Sequence, residues 1–348
     1  MSQPERIIDG HAACPLQQRR HRTPARRPHR GAALLTALLI VVLITTLAAA
    51  MMWRQARSIQ IEAAERGRAQ SDWVLQGALD WARLILREDS RANVKTPSDH
   101  LGEVWAVPLA EARLSSFLST DSNHSADSGP DAYLSGRIED AQSRYNLRNL
   151  VKTDPAEAAK ELAIAARLFQ SAGLNTSIAP QLQKSLKQAI NGAASGAQGD
   201  VPLTPMRLDQ LRWLGLSPEQ IERLRPLVVI LPAATPVNLN TAPREVITAL
   251  DERIDLSTAD RLIRARDSKP FSKLEDVAAY LPQSFVLSAE QTAITTTYFF
   301  VEGRLRMDDR VLTLRSLVNR ESPTSLVLKV LDRERIQQQT SANYTNYR

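Results

Sequence analysis

The chain has 348 residues, 43% hydrophobic and 24% charged, with a formal net charge of +6. That length allows two or three domains with real hydrophobic cores. The single cysteine is Cys14, and beyond residue 31 only His100 and His124 remain among the histidines. A disulfide framework is therefore excluded, and metal or nucleophile chemistry built on Cys or His has very few candidates.

The basicity, which at first suggests a nucleic-acid partner, sits at the N-terminus. Residues 1–31 hold Arg6, Arg19, Arg20, Arg22, Arg26, Arg27 and Arg30 against Glu5 and Asp9, about +5, leaving roughly +1 for the rest of the chain. Gly31 follows Arg30, and an uncharged apolar run continues to Trp53, roughly 23 residues between Arg30 and Arg54. At about 1.5 Å per residue such a run spans a bilayer core. No small-residue cleavage site follows it, as would end a secretory signal. The glycine precedes it instead, which is the pattern of a class III (prepilin) leader, cut between Gly31 and Ala32 with the apolar helix kept. Residues 1–31 are thus read as a cytoplasmic leader and 32–53 as a single transmembrane helix. Arginines on the leader side mark the cytoplasm, so the C-terminal bulk is expected in the periplasm of a bacterial inner membrane.

The helical pattern continues from Arg54 to about Ser90 without proline. Val74, Ala78, Trp81 and Ile85 recur at i, i+4, i+7 and i+11, with Leu75, Leu79, Ala82 and Leu86 beside them. This predicts one broad apolar face, part of it available to partner subunits. Residues 119–131 have loop composition, and a short strand is expected over 132–141, closing at Tyr145–Leu150. Residues 154–190 read as helical with breaks at Gly173 and Pro180. Residues 191–200 read as flexible, and helices resume at about 205–213 and 217–226. From Thr295 the chain turns β-rich, with a hairpin connection at Met307–Arg310, a strand over 311–318, a third strand over 325–332 and a frayed polar tail over 335–348. A helical block ahead of a C-terminal sheet gives an α+β fold, with 54–149 as helix extension and first part of the α/β domain, 150–290 as inserted α-helical domain, and 291–334 as C-terminal antiparallel sheet.

Within the block, Pro236–Leu250 resembles the opening of a helix-hairpin-helix unit. Asn240 or Thr241 is placed to cap its helix and Pro243 suits the first turn. Residues 259–266 and 270–277 match the second helix and its exit. Units of this kind bind DNA phosphates through a glycine-rich hairpin. Here the hairpin, Asp251-Glu252-Arg253-Ile254-Asp255-Leu256, has no glycine and three carboxylates. Structural packing is therefore expected, and no nucleic acid.

Taken together, the chain resembles the type II secretion system protein K family, the large minor pseudopilins. The resemblance rests on the Arg30–Leu35 junction, on Ile138-Glu139-Asp140-Ala141-Gln142-Ser143-Arg144-Tyr145-Asn146-Leu147 and on Pro236-Val237-Asn238-Leu239-Asn240-Thr241-Ala242. It implies a pseudopilin fold with an inserted domain of SAM-like (helix-hairpin-helix-like) subdomains. It also implies a place at the pseudopilus tip, initiating assembly and limiting length during export across the outer membrane. The implied partners are the minor pseudopilins I and J, the major pseudopilin, the prepilin peptidase and the inner-membrane assembly platform. Pseudopilins usually carry Glu at the fifth mature position. Here that position is Thr36, and an unpaired carboxylate in lipid is costly, which suits a subunit with no neighbour above it. Calcium has been associated with the family, but the matching segment, Leu186–Ala193, carries no acid cluster. Hard cations need several oxygen ligands, so no cofactor is expected. Asp121, Asp127 and Asp131 are read as part of a solvated linker.

No Ser-His-Asp or metal-ligand constellation and no Gly-rich phosphate loop is present. His100 and His124 read as solvated, and the chain reads as a structural protein rather than an enzyme. Two alternatives remain at this level: a minor pilin of a type IV pilus, and a membrane-anchored DNA-binding protein.

Overall fold

The computed structural model describes residues 30–114, 132–195, 202–283, 285–307 and 310–336. The leader before Arg30, the polar loop with Asp121, His124, Asp127 and Asp131, residues 196–200 of the glycine-rich stretch, the Asp308-Asp309 connection and the tail from residue 337 lie outside them. The chain divides into two units, Met1–Arg66 and Gly67–Arg348.

Helix α1 (Arg30–Ala92) supplies the described part of the first unit. Between Ala32 and Arg66 it has neither glycine nor proline, and Ala and Leu dominate, which favours continuous helix. Its threonine hydroxyls donate back to carbonyls three residues earlier, as from Thr45 to Val42 at 2.9 Å and from Thr46 to Leu43 at 2.9 Å. The polar groups of this stretch are thus satisfied within the helix, as lipid requires. Its leucines, isoleucines and valines are exposed, and the helix is long and apolar enough to cross a membrane.

In the second unit, the C-terminal part of α1 lies on a five-stranded antiparallel sheet of order β1-β2-β7-β8-β9. Its strands are β1 (Leu109–Arg113), β2 (Ala132–Asp140), β7 (Tyr298–Met307), β8 (Arg310–Arg320) and β9 (Leu328–Ile336). Leu79, Ala82 and Leu86 of α1 are buried against Trp105, Ile138, Phe299, Val301, Val318 and Leu328, and Leu75 against Ala132, Leu134 and Leu305. Alternation along β2 and β7 sends these residues to the helix side. Gly136 and Gly303 face each other in register on that side. A Cβ on Gly303 would stand 3.3 Å from Leu75 Cδ2, and one on Gly136 only 2.9 Å from the Glu302 carbonyl oxygen. Gly303 is what lets the helix approach the sheet so closely, while Gly136 leaves room for the β7 backbone beside it.

Between β2 and β7 lies a helical block: α2 (Pro155–Ser171), α3 (Ile178–Ser195), α4 (Pro218–Leu224), α5 (Arg244–Ala249), α6 (Leu256–Ser268) and α7 (Leu274–Ala278). Asp154, Ser217 and Asp255 cap α2, α4 and α6 by accepting from the backbone N–H three residues on. Gly215 ends the turn before α4 at φ 93°, a conformation that glycine adopts without strain. Leu168, Phe169, Leu182, Leu211, Leu224, Ile247, Leu262 and Val277 share one core. Two short parallel pairs hold the ends of the block: β3 (Tyr145–Asn146) with β4 (Val228–Val229), and β5 (Val237–Asn238) with β6 (Thr292–Ala293).

The structure differs from the sequence reading in several places. Pro180 does not break a helix but sits in the first turn of α3, which runs on to Ser195 and so takes in residues 191–195, read as flexible. The helix read over 205–213 is a 3-10 helix, Leu208–Leu214. The third strand begins at Leu328 rather than Ser325, because Ser325 closes a turn onto the Ser322 carbonyl and takes the Val327 N–H on its hydroxyl. It then runs to Ile336, paired with Thr313, so residues 335 and 336 belong to the sheet and not to the polar tail. Strand β1 had no counterpart in the reading. Neither Asn240 nor Thr241 caps α5. Pro243 stands at its N-cap, and the Asn240 amide instead bonds both the N–H and the carbonyl of Phe271, each at 3.0 Å.

Candidate functional site: an assembly helix and a polar joint

Gly31 and Ala32 lie at the start of α1. The Thr36 hydroxyl donates to the Ala33 carbonyl at 3.0 Å. The first carboxylate after Gly31 is that of Glu62. The membrane stretch therefore presents no charge that a neighbouring subunit would have to neutralise.

Val74, Ala78, Trp81 and Ile85 flank the buried row of α1. Val74 and Ala78 pack beside Leu75 and Leu134, and Ile85 beside Leu86. Trp81 is 47% exposed, and Leu84 is equally open. Val104 and Val107, from the connection after α1, are 77% and 67% exposed. Trp81, Ile85, Val104 and Val107 rim a shallow groove between α1 and the sheet, which also reaches Gly136, Ile138 and Gly303. An apolar strip on a helix margin can seat a partner's apolar face.

Two of the three segments that carry the family resemblance, the motifs Ile138–Leu147 and Pro236–Ala242, meet at a buried polar joint. Asp140, at the end of β2, accepts from Gln142 N–H at 2.7 Å, Asn238 Nδ2 at 2.8 Å and the Thr241 hydroxyl at 2.5 Å. Asn238 Nδ2 also donates to the Asp99 carbonyl at 3.0 Å. Gln142 donates to the Pro236 carbonyl and accepts from Thr297 N–H. Asn146 and Asn149 bind the 231–235 strand exit through Leu231 N–H, the Ala233 carbonyl and both backbone groups of Thr235. Burial pushes the Asp140 carboxyl above its ordinary range, against the pull of its donors. The joint fixes the helical block to the sheet through directional bonds that an apolar contact would not supply.

Sequence reasoning missed Arg320, Asp89, Asp99 and Trp105. Arg320 is 1% exposed at the end of β8. Its Nη1 donates to Asp89 Oδ2 and Ser90 Oγ, both at 3.1 Å, and its Nη2 to Asp99 Oδ1 at 2.5 Å and to the Thr296 carbonyl at 2.8 Å. Trp105 is also 1% exposed, edge-on to Phe299 with ring centroids 5.4 Å apart, and its Nε1 donates to Glu103 at 2.7 Å. An indole placed after a Leu-Gly turn was the one local signal for it. His100, read as solvated, is half-buried, its Nε2 3.9 Å from Glu103 Oε1. In the Leu186–Ala193 segment, Leu186 and Ala189 are buried in the helical core and no carboxylate is offered, so these residues do not fit calcium.

Two family models, both described as Type II secretion system (T2SS), protein K, match residues 143–233 and 237–297. The type II secretion system protein K of Pseudomonas aeruginosa is 30% identical over 318 residues, covering 85% of this chain and 90% of that protein. The fold is similar to the solved GspK-GspI-GspJ complex of the enterotoxigenic Escherichia coli type 2 secretion system, with TM-score 0.56, 16% identity and coverage of 79% of this chain and 99% of that one. Proteins of this kind are structural pseudopilins and not enzymes, and one apolar N-terminal helix fits a single-pass inner-membrane protein. With its α+β fold and both motifs in place, the chain belongs to the type II secretion system protein K family.

Proposed function

We propose that this chain is the minor pseudopilin at the tip of a type II secretion pseudopilus, where it initiates assembly and limits length during export across the outer membrane. The observation that carries this reading is the combination of Thr36, self-satisfied in the membrane helix, with a helical block inserted between β2 and β7. A fifth-position carboxylate pairs with an amine on a neighbour, and a subunit with none above it gains nothing from one. The block adds bulk that repeated stacking along a filament would have to accommodate.

The unit from Gly67 onward lies in the periplasm, consistent with the arginines before the span. Counterparts of GspI and GspJ, the partners in the solved complex, bind along the margin of α1 formed by Val74, Ala78, Trp81 and Ile85. The major pseudopilin and the inner-membrane platform meet the membrane helix. Prepilin peptidase cuts between Gly31 and Ala32. N-terminal sequencing of the membrane-extracted protein should begin at Ala32, and a mature chain that retains Met1 would contradict this. Deleting the gene while the major pseudopilin is overproduced should give longer or more numerous pili with secretion lost. Unchanged pilus length and number would count against the tip reading.

A further inference from the structure

Asp89 and Asp99 share a single guanidinium in the joint, with Glu103 beside them and the charge of Asp140 felt at Asp99. Asp89 lies on α1, Asp99 and Glu103 on the connection that follows, Asp140 at the end of β2, and Arg320 at the end of β8. Oxygens of Asp89, Asp99 and Glu103 lie within 4.8 Å of one another. Arg320 serves Asp89 and Asp99 directly. Glu103 accepts from Asn93 Nδ2 at 2.6 Å, His100 N–H at 2.9 Å and Trp105 Nε1 at 2.7 Å, and the titratable His100 imidazole stands with Nε2 3.9 Å from its Oε1. Asn93 Nδ2 also reaches Asp89 Oδ1 at 3.2 Å, so one amide bridges two acids. Among the described residues of the helical block, the neutral Asn238 and Thr241 reach in, and β7 contributes the Phe299 ring, its centroid 5.0 Å from the guanidinium carbon. Glu88, on the same helix, is exposed and paired with Arg91.

Buried like charges raise one another's cost, and one cation cannot neutralise so many anions. We propose that this cluster is a proton-operated latch between α1, the sheet and the helical block: one proton held by the Asp89–Asp99 pair closes it, and loss of that proton loosens it. A proton on Asp89 leaves the Arg320–Asp99 pair intact. Asp99 then holds both ends of the joint, accepting from Thr296 N–H on Oδ2 at 2.7 Å and from Asn238 on its carbonyl.

The electrostatics support the direction. Burial, with the charges of Glu103 and Asp99, pushes Asp89 up to about 7. Burial pushes Asp99 up to about 6 against the pull of Arg320. The closed latch binds its proton more tightly than the open one. Its stability is therefore greatest in acid, falls as pH rises from the ordinary aspartate range through about 7, and is level above about pH 8.

The test is amide hydrogen exchange of the full chain in detergent micelles, read at Thr296 and Arg320 and corrected for the intrinsic effect of pH on exchange. The opening equilibrium should rise about tenfold per pH unit between about pH 5 and pH 7 and level off above about pH 8. Asp89→Asn should flatten this dependence. Should that variant fail to fold, Glu103→Gln, which removes a like charge, should move the levelling-off to lower pH. His100→Gln should leave the slope in place. A flat wild-type profile, a slope or levelling-off unmoved by the carboxylate variants, or a slope lost in His100→Gln would overturn the latch.

Discussion

Replacing Arg320 with leucine should destabilise the second unit by about 3–5 kcal/mol, because removing one partner of a buried pair strands the other charge. The guanidinium is almost wholly buried and binds α1 through Asp89 and Ser90, the connection through Asp99, and the β7 approach through the Thr296 carbonyl. Leucine fills some of the volume and satisfies none of these acceptors. The loss should be larger at alkaline than at acid pH, since protonation relieves Asp89 and Asp99 when their cation is gone. Urea unfolding of the full chain in detergent, followed by tryptophan fluorescence, reads both effects. A loss below about 1 kcal/mol would mean that the guanidinium does not organise the joint.

Trp105→Ala should cost about 3–5 kcal/mol, the range for removing a large buried aromatic side chain. The indole is sealed between α1 and the sheet, in the cluster of Leu79, Ala82, Leu86 and Phe299. Its truncation opens a cavity there and takes from Glu103 the donor at 2.7 Å. Trp73 is the control. It stands exposed on α1, and Trp73→Ala should stay within about 0.5 kcal/mol of wild type. Equal losses at the two positions would show that α1 does not lie on the sheet by the face described.

That face illustrates what could be read in advance. Both rows of α1, Val74-Ala78-Trp81-Ile85 and Leu75-Leu79-Ala82-Leu86, have helical spacing, so the apolar stripe was legible. Which row goes under was not. The choice depends on Gly303, which leaves room for Leu75, and on Phe299 and Trp105, which receive Leu79 and Leu86. The membrane helix, the β7–β8 hairpin and the helical block were legible because each depends on local periodicity or composition. Strand β1 was not. Leu109-Ala110-Glu111-Ala112-Arg113 is made of good helix formers, and only its pairing with Tyr133, Leu134 and Gly136 makes it a strand.

The joint was legible as motifs but not as chemistry. Thr241 sits where a helix cap is expected, and a local reading assigns it that task, while Asn238 draws no role from its neighbours in the chain. Their partners lie 98 to 139 positions away, at Asp140 and Asp99. Nothing near Arg320 in the chain indicates that it will be buried, because its counter-charges come from α1 and the connection behind it.

The most direct test of the tip assignment labels this chain within assembled pseudopili. A small epitope tag at the C-terminus, detected by gold labelling on filaments sheared from cells that overproduce the major pseudopilin, reports its position. A single label at one end of each filament is expected. Labels at regular intervals along the shaft would contradict the assignment.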